Sequence, residues 1–372
     1  MAEQLLTSNG MKIDRTLLII TITLVVAGFF IFTSASLGLL AREGARFSSV
    51  AFNQIFLGML LGSAILFLTS RIRYRKWRKY AFVLFITSIA TALLVFVPGL
   101  GLEAGGAKRW ILFGPVSFQP AEFLKIAYVI YLAAYLTGNR SQTTRITHGL
   151  LPFLGITAAA AIPLILQPDT GTLLVILSAG TAMFIAAGAR ARDVLTIAAV
   201  PVIGITILAA IRPYVRERLL TFFNPATDPL GSSYQIQQSL ISIGSGQWSG
   251  RGFGQSVQKF NFLPEPIGDS IFAVFSEEFG FIGASLLIAL FLAFAFRGLK
   301  IASQAPDYFG GLLVVGIVIL IVSQSFINIA SMLAVLPLTG LPLVFISHGG
   351  TALLFALASI GIVLNVSKYR KS

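Results

Sequence analysis

Ten apolar runs, each about 20 residues long, follow one another along this chain, and that length is what a helix needs to cross a bilayer's hydrocarbon core. They cover 16–37, 51–70, 80–98, 119–137, 149–167, 171–189, 193–211, 270–296, 310–336 and 344–366. Backbone in lipid must satisfy its own hydrogen bonds, so runs of this length can only be helices. Composition agrees, with 56% of the 372 residues hydrophobic and only 11% charged, against roughly 25% charged in a soluble domain. The expected fold class is an all-α polytopic membrane protein with ten transmembrane helices. Residues 1–372 read as a single integral-membrane domain, since no fixed-period repeat appears and the loops are too short to fold separately. Ala35 and Ser36 resemble a signal-peptide cleavage site, but the run from Thr16 to about Leu37 is too long for that and reads as an uncleaved first span.

Charge placement orients the helices. The net charge is +13, yet the basic residues sit in short connections between apolar runs rather than in a patch suited to nucleic acid. An even number of spans puts both termini on one side. That side carries Lys12, Arg15, Arg71, Arg73, Arg75, Lys76, Arg78, Lys79, Arg140, Arg145, Arg190, Arg192, Arg297, Lys300, Lys368, Arg370 and Lys371. These are 17 of the 27 basic residues, so the expectation is that both termini are cytoplasmic. There is no cysteine and there are only two histidines, which excludes disulfides, thiolate metal sites and a His-built metal site.

The opposite face holds the longest loop, 212–269, between the seventh and eighth spans. A structureless loop of that size is unusual, so it is expected to be ordered or functional. Its start, RPYVRERLLTFFNP, mixes basic and apolar residues like a helix lying in the interface. Next, YQIQQSLISIGSG places Ile236, Leu240 and Ile243 on one helical face, predicting a short amphipathic helix stopped by Gly244. Glycines at 244, 246, 250, 252 and 254 follow, giving either a pliant segment that approaches a ligand or a plain flexible loop.

The acidic residues are concentrated. Glu265, Asp269, Glu277 and Glu278 are four of the chain's 14 acids and fall within 14 residues at the start of the eighth span. A carboxylate at or below a lipid interface is costly unless paired or wet, so each is a candidate functional group. Asp269 follows the chain-breaking Glu265-Pro266-Ile267-Gly268 and can be a helix cap, a general base, or both. Glu277 and Glu278, two turns further, are expected roughly 12 Å deeper than Asp269, at least one of them facing the interior. Glu122 and Lys125 stand at i, i+3 in the fourth span and can pair, for structure or for function. Lys108, Arg109 and Trp110 in GGAKRWILFGPVSF suit either a diphosphate at the interface or plain snorkelling. Asp169, alone in QPDTGT, caps the sixth span or faces the outer cavity. The Pro- and Gly-rich LPLTGLPLVFISHGG, with His348, suggests a broken helix packed inside protein.

The stretches GGAKRWI, FQPAEFLK, QPDTGT, DPLGSSYQIQQSLISIGSGQWSGRGFGQSVQKFNFLPEPIGDSIFAVFSEEFGFIG and LPLTGLPLVFISHGGTALL resemble, in order and over nearly the whole chain, those of the SEDS family of RodA and FtsW types. LPEPIGDSIF and GQSVQKF lean towards the division (FtsW) type. Ile267-Gly268 departs from a frequent His-Thr, Ala121 from a common Ser and His348 from a common Tyr. The resemblance implies a peptidoglycan glycosyltransferase that polymerises lipid II at the outer face of the bacterial cytoplasmic (inner) membrane, in division or elongation. It implies lipid II and nascent glycan as substrates. A class B penicillin-binding transpeptidase and other divisome or elongasome membrane proteins are the implied partners. The family's essential acid falls on Asp269, and its paired acid and base on Glu122 and Lys125.

In the expected reaction Asp269 takes a proton from the acceptor 4-hydroxyl as undecaprenyl diphosphate leaves. Lys108, Arg109, Arg212, Lys259 or a divalent cation (Mg2+ or Mn2+) would steady the leaving group. A lipid II flippase is the rival from another class, using Glu122, Glu277 and Glu278 along a polar path. A non-enzymatic scaffold is a third reading.

Overall fold

The computed structural model describes residues 12–42, 44–104, 107–113, 116–211 and 232–370, with positions 215–216, 220 and 222 between the last two stretches. Helix α1 covers Arg15–Arg42. Helices α2, Gly44–Phe52, and α3, Gly62–Arg71, are joined by a π-helical stretch, Asn53–Leu61, into one long run. Then come α4, Arg75–Leu93, α5, Pro120–Gly138, α6, Leu150–Leu166, α7, Thr170–Ala186, and α8, Ala191–Ile211. The long loop contributes α9, Ser232–Ser245, and α10, Gln258–Asn261. Helices α11, Ile271–Ser303, α12, Tyr308–Met332, and α13, Gly350–Ser367, complete the chain.

Among the described residues eight helices are long and apolar enough to cross a membrane. The fifth and sixth predicted spans are α6 and α7, apolar helices of 17 residues each, at the short end of what spans. Helices α5, α12 and α13 are mostly buried in protein, whereas α8 is almost wholly exposed, so the bundle is built around the first three. Helix α13 packs closely on α3 because its glycines admit backbone: a Cβ on Gly361 would lie 1.9 Å from Thr69 Oγ1. Thr69 uses that approach to donate to the Ala358 carbonyl at 2.9 Å.

One end of the bundle is charged. Asp14, just before α1, accepts both Nε and Nη2 of Arg297 at 2.9 and 2.7 Å, and a further bond from Arg370. Burial works to raise the Asp14 pKa, but the bonds from Arg297, the Leu17 N–H and Arg370 outweigh it and hold the carboxyl below its ordinary range. Nearby, Asp307 accepts from the Tyr74 hydroxyl at 2.7 Å and from Arg75 Nε at 3.0 Å. Burial, then the bond to Asp307, raises the pKa of the Tyr74 phenol. The Tyr74 N–H donates to Asn365 Oδ1 at 2.8 Å, tying this corner to the end of α13.

The other end carries the loops. A three-stranded antiparallel sheet stands between α4 and α5, with β1, Gly101–Ala104, β2, Ala107–Phe113, and β3, Val116–Phe118, in that order. The all-helical expectation missed this sheet, which leaves the fold class unchanged.

Helix α11 is not one straight rod. Gly280 breaks it with φ 65° and ψ −166°. The chain from Gln247 to Gly252 wedges into the break. The N–H groups of Arg251 and Gly252 donate to the Glu277 and Glu278 carbonyls at 3.0 and 2.9 Å. The N–H groups of Phe281 and Ile282 donate to the Gln247 and Trp248 carbonyls at 2.8 and 3.1 Å. The glycine-rich segment is thus a structural insert that satisfies a helix break, as buried backbone requires.

Candidate functional site

Asp269 sits on a turn whose backbone is gripped from three sides. The Ile267 carbonyl accepts the His348 N–H at 2.7 Å, and the Gly268 carbonyl accepts the Ser347 hydroxyl at 2.7 Å. The Asp269 carbonyl accepts the Asn328 side-chain amide, also at 2.7 Å. The donors come from α12 and from the non-helical segment 337–349, whose Leu341, Leu343, Val344 and Ile346 are buried, as the expected broken helix would require. Within the turn Glu265 has φ 47° and its carbonyl accepts the N–H groups of Gly268 and Ser270. The N-cap position of α11 belongs to Ser270, not Asp269. The half-buried Asp269 carboxylate accepts from Gln235 Nε2 at 3.2 Å, and the same amide donates to Ser270 Oγ at 2.9 Å.

Glu122 and Lys125 form a buried ion pair at 2.8 Å on the first turns of α5. Lys125 Nζ also donates to Gln324 Oε1 at 2.5 Å. Beside the pair lies a cavity of about 30 Å3, walled by Ile317, Leu320, Val344 and Phe355. That volume holds a couple of water molecules.

The other candidates go elsewhere. Lys108 and Arg109 are neighbours on strand β2, where the pairing with β1 slips by one residue and leaves Arg109 without a partner position. Lys108 is exposed and Trp110 half-buried. Arg109 Nε donates to the Gln167 carbonyl at 3.1 Å and its Nη2 donates to Pro168, so its guanidinium is spent on the turn before α7. Asp169 is buried and caps α7, accepting the Thr172 N–H at 3.1 Å and hydroxyl at 2.9 Å. Arg212 lies outside the described residues.

Lys259 is not a surface cation. It is buried, and its ammonium donates to Glu278 at 2.7 Å, Gly254 O at 2.9 Å and Ser34 Oγ at 3.0 Å. All three of its protons are used. Glu277 is equally saturated: it accepts the Ser256 hydroxyl at 2.6 Å, the Val257 N–H at 3.0 Å and the Ser242 hydroxyl at 3.1 Å. These acids staple the loop to α11 and α1. Gly280 separates their leg of α11 from the rest of the helix.

Among the described residues no three His, Cys, Asp or Glu side chains come together to hold a metal. The expected divalent cation has no preformed cage there.

The family model for the FtsW, RodA and SpoVE cell cycle proteins matches residues 15–372. The chain belongs to this family. It is 36% identical to stage V sporulation protein E of Bacillus subtilis over 98% of this chain and 100% of that protein. It is also 36% identical to a probable peptidoglycan glycosyltransferase FtsW of Idiomarina loihiensis, over 96% of this chain and 88% of the relative. Among solved structures it resembles a chain of a peptidoglycan synthase complex that coordinates polymerization and crosslinking, with TM-score 0.78, 27% identity and coverage of 96% and 98%. It likewise resembles the rod shape determining protein RodA of Thermus thermophilus, with TM-score 0.69, 26% identity and coverage of 97% and 98%.

Three neutral amides of this site were overlooked in the sequence: Gln54, Gln324 and Asn328. Gln54 Nε2 donates to the Ser347 carbonyl at 3.3 Å and its Oε1 accepts the Gly349 N–H at 3.0 Å. The available signal was their type, since an amide inside an apolar span wants a partner on another element.

Proposed function

We propose that this protein is a peptidoglycan glycosyltransferase that polymerises lipid II at the outer face of the cytoplasmic membrane. Asp269 carries the reading: a half-buried carboxylate at the loop end of the bundle, on a turn whose three consecutive carbonyls are each held by a donor from another element. A base must be held still to act at a reacting atom, and such a turn supplies that.

In this reading the acceptor 4-hydroxyl oxygen bonds to C1 of the donor sugar. The bond from C1 to the diphosphate oxygen breaks and its electron pair leaves with undecaprenyl diphosphate. The hydroxyl proton passes to Asp269. Lys108, exposed on the sheet, is the cation left among the described candidates to meet the leaving diphosphate. Glu122 and Lys125 line the small cavity and are the polar pair this reading assigns to substrate binding. A divalent cation would supply positive charge to the leaving diphosphate, and among the described residues no acid cluster is preformed to hold it. A class B penicillin-binding transpeptidase, together with division or elongation membrane proteins, is the proposed partner set. Of the acids that a flippase path would use, Glu277 and Glu278 are sealed in a saturated network, which favours the enzyme.

The test is polymerisation of labelled lipid II by purified protein, with and without a transpeptidase and a chelator. Asp269→Ala and Asp269→Asn are expected to abolish polymer while leaving the protein folded. Polymer at the wild-type rate from either variant would remove Asp269 from the role of base.

A further inference from the structure

The side chain of Asn328 is 1% exposed and its amide has no choice of orientation. Its nitrogen lies 2.7 Å from the Asp269 carbonyl and 2.7 Å from the Leu341 carbonyl. Carbonyl oxygens only accept, so both amide hydrogens must point at them. The amide oxygen, buried, then has no hydrogen-bond partner among the described residues. A buried acceptor without a donor costs stability, so this residue is poorly explained as a stabiliser.

One turn towards the charged end, Gln324 repeats the grip. Its nitrogen donates to the Pro342 carbonyl at 3.0 Å and its oxygen accepts Lys125 at 2.5 Å. Residues 324 and 328 share one face of α12, about 6 Å apart. They hold the adjacent carbonyls of Leu341 and Pro342, and beyond these the Asp269 turn and the Glu122–Lys125 pair.

We propose that Asn328, seconded by Gln324, is a positioning residue that fixes the Asp269 carboxylate in register with the Glu122–Lys125 pair. The inference rests on the reading of Asp269 as the reacting acid. Helix α12 acts as the ruler, because its two amides are set by helical pitch and each holds one half of the site. Removing the Asn328 donors frees the turn to drift without touching substrate. A misplacement of about 1 Å at a reacting group costs on the order of 100-fold in rate.

The experiment compares Asn328→Leu, Gln324→Leu and Asp269→Asn in the purified full chain polymerising lipid II, with folded protein counted by size exclusion. Asn328→Leu is expected to lower kcat on the order of 100-fold with KM within about threefold of wild type, the split a displaced rather than unbinding group produces. Asn328→Ser, which keeps one donor, is expected to recover part of that kcat. Full kcat in folded Asn328→Leu, or a loss residing wholly in KM, overturns the proposal. Failure of both leucine variants to fold also overturns it, since the amides would then be structural. Activity in Asp269→Asn instead sinks the base assignment, whatever Asn328 does. An inactive Asp269→Asn beside a fully active Asn328→Leu sinks the positioning role alone.

Discussion

Lys259 shows how a charge that looks like a ligand group becomes a strut. With its ammonium on Glu278, Ser34 and the Gly254 carbonyl, it ties the loop to α11 and α1. Removing one partner of a buried pair leaves the other uncompensated, at a cost of roughly 3–5 kcal/mol. Lys259→Met should therefore lower the thermal unfolding temperature in detergent strongly. The double variant Lys259→Met with Glu278→Gln should recover most of it, because two neutral groups leave no buried charge. A Lys259→Met protein as stable as wild type, but unable to bind lipid II, would restore the ligand role. Arg109 is a parallel case at lower stakes, its guanidinium spent on the carbonyls of Gln167 and Pro168.

Gly280 decides where the first leg of α11 points. Its φ of 65° lies in the left-handed region, and an added Cβ would sit 2.4 Å from the Gly250 nitrogen. Gly280→Ala should cost at least about 1–3 kcal/mol from backbone strain and push out the wedge 247–252. Faster hydrogen exchange at the Arg251 and Gly252 amides would report it, with a fall in polymerisation. Unchanged exchange there would show the wedge to be independent of the break. Helix α9 makes a related point. Ile236 is buried on it, but so are Ser233, Ser239 and Ser242, while Leu240 is exposed. The amphipathic helix was expected, yet its buried face carries serines as well as apolar side chains. Ser242 shares its one hydroxyl proton between the Ala273 carbonyl of α11 at 3.0 Å and Glu277 at 3.1 Å, contacts that no hydrophobic pattern announces.

Across the whole molecule, Asp14 gathers the beginning of α1, the end of α11 and the residues after α13. Its folded pKa is depressed, so its contribution is present above the unfolded carboxylate value, 3.8, and is lost as pH falls through the lower folded value. Wild type should lose thermal stability as pH drops below about 4, and Asp14→Asn should flatten that part of the profile while being less stable at pH 7. A profile identical in the two proteins would separate the charged end from acid stability. Because the chain has no cysteine, single substitutions label cleanly. Ser303→Cys at the charged end should react only after reagent reaches the cytoplasm, and Gln247→Cys should react in intact cells. The reverse pattern would invert the proposed topology.

What the sequence determined by itself was local chemistry summed over distance. Twenty apolar residues in a row cross lipid whatever their neighbours, so the spans were legible. Short basic loops and an acid at a helix start were legible for the same reason. Strand β2 shows no apolar–polar alternation in AKRWILF, so a search for periodicity passes over it. Only the tertiary structure decided which polar groups face the site. Lys259 meets Ser34 and Lys125 meets Gln324 across 225 and 199 residues of chain, and periodicity reports a residue's face, never its partner. The same limit hid Gln324 and Asn328, neutral amides whose role comes wholly from the carbonyls that folding brings to them.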